Sequence, residues 1–196
     1  MLYNDWMIVK NVFVYLIGFA GVGKLTTARK LAGLLDARVV DNHWINNPIF
    51  GLIDRDHGVR LPPSVWEQTR KVRHAVLETI ATLSSPQANF ILTNSLAEDD
   101  SEDRRIYEEL RTTAERRNAL FVPVRLLCDE EQLMKRVVSP DRAAHMKRMN
   151  PVAATEELRT KTLLFTHHAN ELTLETSAST PDTSVRLIFD HIGRIS

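Results

Sequence analysis

Gly18-Phe19-Ala20-Gly21-Val22-Gly23-Lys24-Leu25-Thr26 is the stretch whose reading decides the fold. It sets a G-x4-G-K pattern between an apolar run, Val12–Ile17 (VFVYLI), and a segment in which Ala28, Leu31, Ala32 and Leu35 recur at helical spacing. The run is continuous and rich in β-branched and aromatic residues, as expected of a strand buried on both faces of a parallel sheet. Glycines let successive amide N–H groups turn inward as an anion nest, and the helix that follows aims the positive end of its dipole at the same point. Lys24 adds a point charge suited to the β- and γ-phosphates of a nucleotide, and a hydroxyl just beyond it belongs near Mg²⁺. The usual pattern has Ser or Thr directly after the lysine. Here that place holds Leu25, followed by Thr26 and Thr27.

Outward from the loop, strand-like and helix-like segments alternate. Residues 38–41 read as a short second strand ending at Asp41, and residues 42–61 as irregular. Pro62-Pro63-Ser64 opens a long helix over 64–83 with Val65, Val72, Val76, Ile80 and Leu83 as its apolar stripe. A buried strand is expected at 89–93, a charged amphipathic helix at 101–117, and a strand at 120–128 whose Pro123 suggests an edge or a bulge. Helices at 130–138, 155–168 and 183–192 and a last short strand at 172–176 complete the series. Five strands alternating with helices imply right-handed βαβ crossovers and a three-layer αβα domain around a parallel sheet.

The bulk composition narrows the function classes. The 196 residues suit one domain, 43% of them apolar and 26% charged. Lys plus Arg and Asp plus Glu are 25 each, so no global field favours nucleic acid or an anionic membrane. The lone Cys128 excludes an intrachain disulfide and a cysteine-rich metal site, and its place at the end of an apolar run marks a buried thiol. No apolar run reaches the ~20 residues that span a bilayer, and no secretion signal is visible, so the expected location is cytoplasmic. His167-His168 read as a poor metal pair, since adjacent helical residues diverge.

The phosphate loop and the element order resemble those of the small P-loop kinases, the group of shikimate kinase, gluconate kinase, chloramphenicol phosphotransferase and the nucleoside monophosphate kinases. The nucleoside monophosphate kinase form of the loop has a Thr two places after the lysine. The resemblance therefore implies that Gly18, Ala20, Gly21, Val22, Gly23, Lys24, Leu25, Thr26 and Thr27 bind ATP, with Thr26 as the Mg²⁺-side hydroxyl and Thr27 as its alternative. It implies an acidic residue at the end of the second strand facing the acceptor hydroxyl, which is Asp41, although a strand-end turn or helix cap would also explain an Asp there. Asn42 and His43 beside it are candidate acceptor ligands. Residues of about 42–85 correspond to the acceptor-binding region. Arg70 and Arg73 on its helix stand either for the arginines that hold an anionic acceptor group or for a solvated basic face. Trp44 and Trp66 could line the pocket or pack. The lid corresponds to about 136–152, where Arg136 would touch the nucleotide and Arg142 would close over the transferring phosphoryl group, with Lys147 and Arg148 nearby. Residues 176–179 correspond to the loop over the base.

One family feature is absent. The third strand continues into Asn94-Ser95, where many P-loop NTPases hold Mg²⁺ with an Asp; Asn94 could instead orient a water or the acceptor. Glu98, Asp99 and Asp100 read as the acidic start of a helix. The leading expectation is an ATP- and Mg²⁺-dependent phosphotransferase acting on a small-molecule acceptor, as a monomer or homodimer. The alternatives are a regulatory ATP-binding protein without turnover and a nucleotide or polynucleotide kinase. The last is disfavoured by balanced charge and only 7% aromatic residues.

Overall fold

The computed structural model describes residues 9–54, 61–138 and 150–196. Its centre is β1 (Val12–Ile17), whose six side chains are all buried. Alternation along this strand divides the core. Val12, Val14 and Leu16 face one side, packed with Leu31 and Leu35 of α1 (Lys24–Leu35), Leu133 and Val137 of α5 (Glu130–Val137), and Val185, Ile188 and Ile192 of α7 (Pro181–Ile195). Phe13, Tyr15 and Ile17 face the other, against Leu77 and Ile80 of α3 (Pro63–Thr82) and Tyr107, Leu110 and Ala114 of α4 (Ser101–Arg116). The remaining strands are β2 (Ala37–Asp41), β3 (Asn89–Asn94), β4 (Leu120–Leu127) and β5 (Leu172–Glu175). All pair in parallel, in the order β2-β3-β1-β4-β5. The expected five-stranded, three-layer αβα architecture is the one observed.

Three local expectations are corrected. Residues 42–61 are not irregular throughout: α2 (Asn42–Phe50) starts immediately after β2, capped by the Asp41 carboxylate, which accepts from the His43 N–H at 2.8 Å. Its Asn and Pro content hides it, because those residues are poor helix formers and burial of Ile45 and Phe50 overrides propensity. Second, β4 is neither an edge nor bulged. It lies between β1 and β5, and its register with β1 runs unbroken from Val12↔Leu120 to Ile17↔Arg125. Pro123 is accommodated because pairing to β5 begins only at Val124↔Leu172. Third, the helix placed at 155–168 is α6 (Pro151–Thr160). The chain then turns extended at Lys161, and Leu163 and Leu164 are both buried outside the helix. Leu163 bridges Ala97, and the Leu164 N–H donates to Leu96 O at 3.0 Å. Arg125, itself 7% exposed, donates to the Leu163 and Leu164 carbonyls.

Asn89 ties the bottom of the sheet together. Its side-chain amide donates to Val9 O at 2.8 Å and Leu35 O at 2.6 Å, while its Oδ1 accepts from the Val12 N–H at 2.9 Å. Removing it leaves three backbone groups without this partner, each costing about 1–3 kcal/mol when buried. Asn89→Ala should therefore lower the unfolding free energy by about 3 kcal/mol in urea titration; a loss below about 1 kcal/mol would show that water replaces these bonds.

Candidate active site

The loop after β1 has the conformation that its glycines allow. Gly21 and Gly23 sit at φ +92° and +97°, a left-handed backbone that side chains resist. Gly18 has no room for a side chain: a Cβ there would lie 2.7 Å from Val22 Cγ2 and 2.8 Å from Leu126 O. The Gly18 N–H donates to Asn94 O at 3.1 Å, which pins the loop to the end of β3. Across the sheet, the Thr176 hydroxyl lies 3.1 Å from Val22 O and 2.8 Å from Leu127 O. The loop is thus braced from both sides. The Lys24 ammonium donates to the carbonyls of Gly18 and Phe19, the latter at 2.9 Å.

A cavity of about 1160 Å³ opens in front of this loop. Among its walls are Ala20, Gly21, Gly23, Lys24, Leu25 and Thr26 of the loop, Asp41, Asn42 and His43 after β2, Arg70 and Arg73 of α3, Asn94 after β3, and Arg136 of α5. Residues far apart in sequence, singled out for donor and for acceptor binding, therefore share one space. Gly18 and Val22 are buried behind it and support the loop without lining the cavity. Thr26 is exposed at the cavity, whereas Thr27 is 3% exposed and faces the core, so Thr26 is the better placed of the two hydroxyls. Trp66 also lines the cavity, edge-on to Phe50 at 5.7 Å. Trp44 does not; it borders a smaller pocket of about 320 Å³ on the other side of Asp41 and His43. Arg142, Lys147 and Arg148 lie outside the described residues, as does most of the expected lid.

The arginines are held by other side chains. Arg136 donates to Thr176 at Oγ1 (3.2 Å) and at the carbonyl (2.8 Å), which joins the end of α5 to the loop after β5. Arg73 is only 5% exposed, so it is no solvated basic residue. Its Nε donates to Glu109 at 2.8 Å, and Glu102 lies 3.7 Å from both Arg73 and Arg70. Glu102 in turn accepts from Arg105 at 2.6 Å.

Glu102 and Asp103 in the first turn of α4 line the cavity, together with Asn46, Glu67, Thr93 and Glu157. The sequence reading missed them because it placed the acidic cluster one turn early. Asp100, read as part of the acidic start of the helix, is its cap and accepts from the Glu102 N–H at 2.9 Å, and Glu98 pairs with Arg104 at 2.6 Å. The signal for the cavity residues is the position three after that cap: the Asp103 carboxylate accepts from the Ala97 N–H at 2.7 Å, which turns it back toward the end of β3. Burial raises Asp103 to about 6 against the pull of that N–H. Below it, Tyr15 is fully buried, and burial pushes its phenol well above its ordinary range. Cys128 is a buried thiol that burial likewise raises, consistent with a structural role. His167 and His168 are not helical; the His168 Nδ1 accepts from the Asn170 N–H at 3.1 Å, and no group of three metal-ligating side chains occurs among the described residues.

No family model matches the sequence, and no curated protein resembles it by sequence. Solved structures do match in three dimensions. A gluconokinase from Sinorhizobium meliloti superposes with a TM-score of 0.63 at 15% identity, over 94% of this chain and 93% of that one. The fold is that of the small P-loop kinases. A shikimate kinase from Acinetobacter baumannii in complex with shikimate matches at 0.55 with 18% identity, covering 98% and 99%. An APS kinase from Mycobacterium tuberculosis in complex with AMPPNP and APS matches at 0.58 with 14% identity, covering 94% and 98%. No helix among the described residues is long and apolar enough to cross a membrane.

The raised Asp103 carries a pH consequence with a definite sign. Its folded-state pKa of about 6 exceeds the ordinary 3.8, so the folded protein holds this proton more tightly than the unfolded chain. Its contribution to stability is present at acid pH and is lost as pH rises through about 6. Asp103→Asn keeps an acceptor for the Ala97 N–H and removes the charge. Its melting temperature relative to wild type should therefore rise between pH 4.5 and 7.5; a constant or falling difference in thermal melts would contradict the burial argument.

Proposed function

We propose that this chain is an ATP-dependent phosphotransferase that moves the γ-phosphoryl group to a hydroxyl of a small-molecule acceptor, as a kinase domain with its acceptor region at about 42–85 and its lid at about 136–152. The observation that carries this reading is the sharing of one cavity by Lys24 of the phosphate loop and Asp41 at the end of β2. A loop alone would support nucleotide binding. A carboxylate facing the same space supports transfer, because the acceptor hydroxyl needs a group that takes or orients its proton.

The loop amides and the α1 N-terminus would cradle the β-phosphate, with Lys24 exchanging its carbonyl partners for phosphate oxygens. The acceptor oxygen forms the new bond to the γ-phosphorus as the bond to the bridging oxygen of ADP breaks. The hydroxyl proton passes to Asp41 and then to solvent. Arg136, and Arg142 from the lid, would offset charge on the phosphoryl oxygens. Asn42, His43, Arg70, Arg73 and Asn94 would hold the acceptor. Mg²⁺ fits this donor set: it keeps several waters and is bound mainly through substrate phosphates, so the Thr26 hydroxyl, with Asp41 through water, suffices without an Asp after β3. When bound, it would neutralise phosphate charge. The absence of long basic or aromatic tracks and the solved neighbours' small acceptors support a small molecule over a polynucleotide.

Two substitutions distinguish a kinase from a regulator. Lys24→Ala should weaken nucleotide binding and reduce turnover by about 10²-fold or more. Asp41→Asn retains a helix cap, so it should leave nucleotide binding within a few-fold while lowering kcat by about 10²-fold. Coupled ADP-release assays together with nucleotide titration read both. Intact turnover in Asp41→Asn would refute the acceptor assignment, and nucleotide binding with no turnover on any acceptor would favour the regulatory reading.

A further inference from the structure

Helix α2 turns one stripe of side chains to the cavity. Asn42, His43, Asn46 and Phe50 line it, at positions that share a helical face, whereas Trp44 and Asn47 border only the smaller pocket. Asn42 and His43 lie beside Asp41. Phe50 comes eight residues after Asn42, about 12 Å along the helix axis. The cavity therefore runs well past the place where a hydroxyl would meet Asp41.

Its far end is apolar. Leu61, Pro62, Pro63 and Trp66, at and before the first turn of α3, line it together with Phe50. Trp66 meets Phe50 edge-on at 5.7 Å, which makes the patch continuous. Phe50 is buried, but Trp66 remains 44% exposed. A large ring left this open on a cavity wall gains by burying its surface against a ligand.

One polar side chain stands between the two ends. Asn46 lies one turn from both His43 and Phe50 and is only 7% exposed. Its amide bonds to no group among the described residues. The Asn47 Oδ1 is sealed from solvent without a partner, whereas neither amide atom of Asn46 is sealed, so a ligand in the cavity can reach them. An amide offers two donors and an acceptor, and leaving them unpaired in a mostly buried place is costly.

From this arrangement we infer that the acceptor carries a flat apolar or aromatic group in addition to its reacting hydroxyl, with that group seated on Trp66 and the part between held by hydrogen bonds to Asn46. The inference rests on the kinase reading for the place of the reacting hydroxyl. Pockets of this kind join an apolar wall to a few placed polar groups, the wall supplying affinity and the polar groups orientation. Asn46 and Trp66 are then specificity-determining residues that select the acceptor away from the transferring phosphoryl group. A ligand that ends at Asn46 leaves the Trp66 ring in water.

The test uses the full chain loaded with a non-hydrolysable ATP analogue and Mg²⁺, titrated calorimetrically with compounds matched in skeleton. The set pairs glucose with phenyl glucoside, ribose with uridine, and inositol with its benzyl ether. In the best-binding pair the aryl-bearing member should bind at least tenfold tighter than its bare match. Trp66→Ala should remove that advantage, and the conservative Trp66→Phe should keep part of it. Asn46→Ala should weaken the aryl-bearing member at least tenfold while nucleotide affinity, measured on every variant as a check of folding, stays unchanged. Equal affinities within the pairs, tighter binding by the bare members, no binding by any aryl-bearing member, an undiminished aryl preference in Trp66→Ala, or unaltered binding in Asn46→Ala would each overturn the inference. Phosphorylation is scored separately with ATP: a compound that binds as expected but is not phosphorylated contradicts the kinase reading and leaves the apolar subsite standing.

Discussion

Everything at this site depends on the bracing of one backbone loop. The segment after β1 is held by Asn94 O through the Gly18 N–H and by Thr176 through Val22 O, and it is packed so closely against Leu126 that only glycine fits at position 18. Strands on both sides of β1 hold the loop in this conformation. Lys24, bonded to the carbonyls of Gly18 and Phe19, is held at the same point. The order β2-β3-β1-β4-β5 then places the ends of β2 and β3 on one side of the loop and α5 on the other. Residues of the loop and residues after β2 and β3 meet in one cavity as a result.

Much of this was legible in the sequence because the informative signals are local. The apolar run of β1, the glycines and Lys24 name the loop, and helical spacing names α1. What escaped depends on tertiary contacts. Helix α2 has weak propensity and is stabilised by burial of Ile45 and Phe50. Leu163 and Leu164 read as helical until the bridge to Ala97 and the Arg125 guanidinium give their backbone other partners. Pro123 looked like an edge marker, yet it is an inner-strand residue placed just before pairing with β5 begins. In each case the deciding contact lies far away in sequence.

The cavity wall formed by α3 and α4 shows the same limit in its electrostatics. Two arginines three residues apart on α3 are visible in the sequence, but their ion pairs are not, because Glu102 and Glu109 belong to α4. Asp103 is a comparable case. Its sequence neighbours suggest a solvated helix start, whereas the Ala97 N–H turns it toward a partly buried wall where burial raises it to about 6. At 14–18% identity to solved kinases, what is shared is the fold.

The central claim is that one cavity serves both the nucleotide and the acceptor, and a crystal structure with Mg²⁺ and a non-hydrolysable ATP analogue tests it most directly. The account predicts the β-phosphate in the nest of Gly21 to Lys24, and the γ-phosphate directed toward Asp41 with the space between α3 and α4 left open for an acceptor. A nucleotide bound elsewhere, or a γ-phosphate turned away from Asp41, would contradict it.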